Sequence, residues 1–157
     1  MSASLTSPAR TPHPALRLFT LVPAAWCYAV GMTVHGSDHL IRGLRTDHHH
    51  DHAAWPGPVQ VFLAAVTVVL AIGAVLIARS RHPYAPAVLA VLGIGSGLTF
   101  LALHLMPGWG HVVDTFITAG SGAHITGYSW VTMTIGVSGC FILGAAAVRT
   151  LRSGQAA

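Results

Sequence analysis

Four long apolar runs divide the chain, at 18–37, 59–78, 84–106 and 125–148. A hydrocarbon core of about 30 Å needs about 20 apolar residues of helix, so each run is long enough to cross a bilayer. Pro58 and Arg79 bound the second run, Pro83 and Pro107 the third, and Arg149 ends the fourth. The first is the weakest; it contains Pro23, which a membrane helix tolerates as a kink. The pattern predicts an all-α fold: a four-transmembrane-helix bundle over residues 15–152, with tails at 1–14 and 153–157. The first tail is rich in Ser, Thr, Pro and Ala and reads as disordered.

Small residues recur inside these runs at helical spacing. Gly93 and Gly97 form a GxxxG in the third, and Gly136, Cys140 and Gly144 form a small-xxx-small ladder in the fourth. Such notches let helix backbones approach closely in lipid. Cys27 and Cys140 both fall in apolar runs and read as small core residues; no CxxC is present.

Composition sharpens the picture. Of 157 residues, 53% are hydrophobic and 8% charged, against about 25% charged in soluble domains. Lys, Glu and Asn do not occur. So few charges cannot build a water-facing shell, and the lipid bilayer becomes the expected partner. The net charge of +4 comes from Arg scattered in pairs, not from the clustered basic face that nucleic-acid binding needs. The Arg-only, Ala- and Gly-rich coding bias points to a bacterial source, and hence to a bacterial cytoplasmic membrane.

Arginine placement sets the expected orientation. Arg10, Arg17, Arg79, Arg81, Arg149 and Arg152 fall on one side of the four spans, and Arg42 and Arg45 on the other. The positive-inside rule then puts both termini in the cytoplasm. Arg10 and Arg17 ahead of an apolar run resemble a signal peptide, but the run is long and no small-x-small site closes it, so it reads as a retained span. Trp55, Trp109, Tyr128 and Trp130 lie near the outer boundary, where amphipathic rings prefer to sit.

With that topology a second asymmetry emerges. Nine of eleven histidines, and all four aspartates (38, 47, 51 and 114), belong to the extracytoplasmic side. His35, Asp38 and His39 have HxxDH spacing, which places all three on one helical face if the first helix continues past Gly36. His104 follows Gly97 by seven residues and should face the same packed side of its helix. His111 and Asp114 are three apart, and His124 precedes the fourth run. Imidazoles and carboxylates at one depth can form the ligand shell of a transition metal such as iron, copper or zinc. The candidate ligands are therefore His35, Asp38, His39, His104, His111, Asp114 and His124. The separate run His48, His49, His50 and His52 lies in a polar loop and reads as metal capture or as a solvated linker.

No phosphate-binding glycine loop, GxSxG or HExxH occurs. Four readings remain. The first is a membrane metalloprotein, an oxidoreductase on a lipid-soluble or small substrate. The second is a copper or zinc capture or transport accessory. The third is a b-type haem protein ligated by His35 and His104. The fourth is a structural subunit of a larger membrane complex or a homo-oligomer.

Overall fold

Proline in the first turn of a helix sacrifices no hydrogen bond, because the early N–H groups have no intrahelical partner. Pro14 opens α1 (Pro14–Arg45) in this way. It is followed by α2 (Gly57–Arg79), α3 (Ala85–Leu105) and α4 (Gly127–Gln155). The computed structural model describes residues 14–45, 57–80, 82–106 and 125–155, and the regular structure among them is entirely helical. The tail at 1–13 and the long connections lie outside the described residues.

Three helices, α2, α3 and α4, are long and apolar enough to cross a membrane. At 21 residues, α3 is about 31 Å long. In α1, the polar positions Thr33, His35, Ser37, Asp38 and His39 dilute the apolar run. The surface is inverted relative to a water-soluble protein. Val91 is 75% exposed and Val69 67%, whereas His35, Asp38, His104, Ser129 and Thr132 are buried. Such an exterior suits hydrocarbon.

α4 is the central element, packed against α1 on one side and α3 on the other, while α2 leans mainly on α1. Glycines bring the backbones together. A Cβ on Gly139 would lie 2.6 Å from the Cys27 carbonyl oxygen, and one on Gly93 would lie 2.7 Å from that of Cys140. Gly31 faces Ile135 and Gly136, and Gly97 lies against the Phe141 ring. With Cys27 opposite Gly139 and His35 opposite Gly136, α1 and α4 run antiparallel. Gly93 beside Gly144 and Phe100 beside Gly136 give the same sense for α3 and α4. The C-terminal ends of α1 and α3 therefore meet the N-terminal end of α4.

Two helices outrun the expected boundaries. α1 passes Gly36 and Ser37 and continues to Arg45. Gly36 weakens a helix by about 1 kcal/mol relative to Ala, but the helix is held on the far side by contacts to α4 described below. α4 extends past Val148 to Gln155, because arginine ends an apolar stretch without ending a helix. The cysteine expectation is corrected in part: Cys140 is buried, but Cys27 is exposed. In a helix that faces lipid, apolar residues occupy both faces, so apolarity alone does not identify the packed one.

Candidate metal centre

Residues four apart on a helix lie one turn above one another, and α1 uses this spacing to pair two imidazoles. The Nε2 atoms of His35 and His39 are 2.9 Å apart, a hydrogen bond whose donor depends on the tautomer. His104, from the last turn of α3, completes the group. Its ring centroid is 4.9 Å from that of His35 and 5.6 Å from that of His39. One ligand nitrogen from each of the three lies within 4.8 Å of the other two. His35 and His104 are buried and His39 half-buried.

This group could hold a metal ion. Two imidazole nitrogens on a tetrahedral ion, with bonds of about 2.0–2.1 Å, lie roughly 3.3 Å apart. The His35–His39 pair is already close to that separation, so ligation needs mainly an inward adjustment of His104. Three imidazoles are also the protein ligand count of an open zinc site, with a fourth position left for water or substrate. The carbonyl end of α3, where His104 sits, carries the negative pole of the helix dipole and favours a cation.

Asp38 takes a different place. It is 1% exposed and its Oδ1 accepts a hydrogen bond of 2.9 Å from Ser129 Oγ on α4. Ser129 Oγ also accepts from the Thr126 backbone N–H, and Thr126 Oγ1 accepts from the Ser129 N–H. This reciprocal arrangement resembles a capping box, with Ser in place of Glu or Gln. Asp38 of α1 is therefore placed against the first turn of α4, the positive end of that helix. Ser37 Oγ and Tyr128 Oη, 3.1 Å apart, form a second link between the same elements. Asp38 thus braces the turn of α1 that carries His39, and it lies outside the converging trio.

Phe100, one turn before His104, packs edge-on against both His35 and His104, with centroids at 4.5 and 5.2 Å. It forms the apolar wall of the site. The packing disfavours haem ligation by His35 and His104. A macrocycle must pass between its two axial rings, but these rings are in edge contact and His39 and Phe100 press against both.

The structure thus brings together His35, His39 and His104 and turns Asp38 towards α4. His111, Asp114, His124 and the run His48, His49, His50 and His52 lie outside the described residues. Sequence reasoning missed Phe100, Ser129, Gly31 and Gly139. The i, i+4 relation to His104 could have found Phe100. No spacing rule connects Asp38 to Ser129, 91 residues away.

No family model, curated protein or solved structure matches the chain. The functional reading therefore rests on the geometry.

Proposed function

We propose that this protein is an integral membrane metalloprotein that holds one transition metal ion on His35, His39 and His104 near the extracytoplasmic end of its helices. The observation that carries the reading is the convergence of three imidazole nitrogens from two helices within 4.8 Å. Ionisable groups inside membrane spans are expensive and tend to be functional, and three of them facing one point are hard to assign to packing. In this reading α1 spans the membrane with the other three helices. The ends carrying Arg79, Arg149 and Arg152 face the cytoplasm.

An all-imidazole donor set suits zinc, copper or iron better than magnesium or calcium. With a coordination position open, the centre would act on a small or lipid-soluble molecule reaching the half-buried His39 side. A copper or iron ion would make this an oxidoreductase, whereas zinc would activate water. The His48–His52 segment would deliver ions to the centre.

The deciding experiment is metal analysis of protein purified without chelator, alongside a variant lacking residues 47–52 and the triple variant His35→Ala/His39→Ala/His104→Ala. One zinc, copper or iron ion per chain is expected in the first two and none in the third. Equal metal in all three would sink the assignment.

A further inference from the structure

The opposite end of the helices carries an open groove of about 610 Å³ between α3 and α4. That volume falls within the range of about 300–1,000 Å³ seen in ligand clefts. Ile94, Phe141, Ala145 and Val148 form an apolar wall, and Arg149 and Arg152 stand at one end. From Phe141 to Arg152 the groove follows about 16 Å of helix, roughly the depth of one leaflet.

Charge is distributed unevenly around this groove. The chain has no Glu, and its four Asp are residues 38, 47, 51 and 114. Asp38 is at the histidine end. In sequence, Asp47 and Asp51 follow the C-terminus of α1 and Asp114 that of α3. Arg149 and Arg152, three residues apart and so on one face of α4, are exposed at the far end. Among the described residues the one acidic side chain, Asp38, lies at the histidine end and none stands beside them. Arginine at a helix C-terminus favours the helix dipole, but that role needs no groove.

From this arrangement we infer an anionic-phospholipid site: the phosphate of the headgroup lies on Arg149 and Arg152, and one acyl chain fills the groove along Val148, Ala145, Phe141 and Ile94. Guanidinium groups match phosphate oxygens in geometry as well as charge. A basic recess between membrane helices recognises an acidic headgroup at the cytoplasmic surface. The site rests on the membrane placement and is independent of the metal.

The test uses the full-length protein in detergent, exposed to phosphatidylglycerol or phosphatidylcholine and examined by native mass spectrometry. Wild type should retain phosphatidylglycerol in preference to phosphatidylcholine. Arg149→Gln/Arg152→Gln should lower that preference about twenty-five-fold, each arginine contributing a factor of about five at an anionic surface. Ala145→Trp should reduce retention by filling the groove, and Arg79→Gln, outside it, should change nothing. Helical circular dichroism and a monodisperse size-exclusion profile report whether each variant is folded. Equal retention of the two lipids by wild type, an unchanged preference in a folded double arginine variant, or displacement by inorganic phosphate would each overturn the proposal.

Discussion

The Nε2 atoms of His35 and His39 lie 2.9 Å apart on successive turns of α1, sharing one hydrogen. That separation is close to the roughly 3.3 Å between two imidazole nitrogens on one tetrahedral ion, so α1 by itself supplies two of the three candidate ligands. His104 must come from another helix. The quality of the centre therefore depends on how α1 and α3 are held relative to each other.

His104→Ala should weaken zinc or copper binding by more than the roughly 10–100-fold that follows loss of an outer-shell partner. His39→Ala should do the same. Competition against a chelator of known affinity measures both, and a loss below tenfold for either would remove that residue from the ligand set.

Asp38 and Ser129 should be energetically coupled. In a double-mutant cycle of Asp38→Ala and Ser129→Ala, read by unfolding in mixed micelles, the coupling should be about 0.6–1.7 kcal/mol, the range for polar pairs between membrane helices. Asp38→Ala should also loosen metal binding by about tenfold, because it frees the turn bearing His39. Strict additivity of the two changes would show that the bond does not brace α1.

Glycine substitutions separate close approach from mere helix propensity. Gly139→Ala would place a methyl 2.6 Å from the Cys27 carbonyl oxygen and should destabilise by about 1–3 kcal/mol through overpacking. Gly73→Ala meets nothing within 4 Å and should be neutral or stabilise by up to about 1 kcal/mol. The thermal midpoint should fall for Gly139→Ala and hold or rise for Gly73→Ala; the same loss in both would contradict the α1–α4 packing.

Orientation is tested by cysteine placement. Thr126→Cys, before α4, should react with a membrane-impermeant maleimide in intact cells. Ser153→Cys, near its other end, should react only after permeabilisation. The reverse pattern would invert the topology and move the histidines to the cytoplasmic side.

Much of this architecture can be read from the chain alone, because lipid imposes simple rules. Apolar length marks α2, α3 and α4, and the seven-residue step from Gly97 to His104 puts both on the packed face, where both are buried. The HxxDH spacing places His35 and His39 together. It does not reveal the bond from Ser129 to Asp38, because spacing reports a shared face and not a partner, and Ser129 comes from α4. Gly31 and Gly139 escape for a related reason: a small residue reveals its purpose only when the opposing backbone is known. Cys27 shows the converse, an apolar position with no packed side chain.

One α-carbon lies close beneath the histidine group. Gly136 lies between His35 and Phe100, where a Cβ would come within 3.3 Å of the His35 Cβ and 3.4 Å of the Phe100 ring. The seat of the His35 side chain thus depends on a missing side chain on a third helix. A lineage that filled that position would keep every histidine and still have to move the stem of one of them.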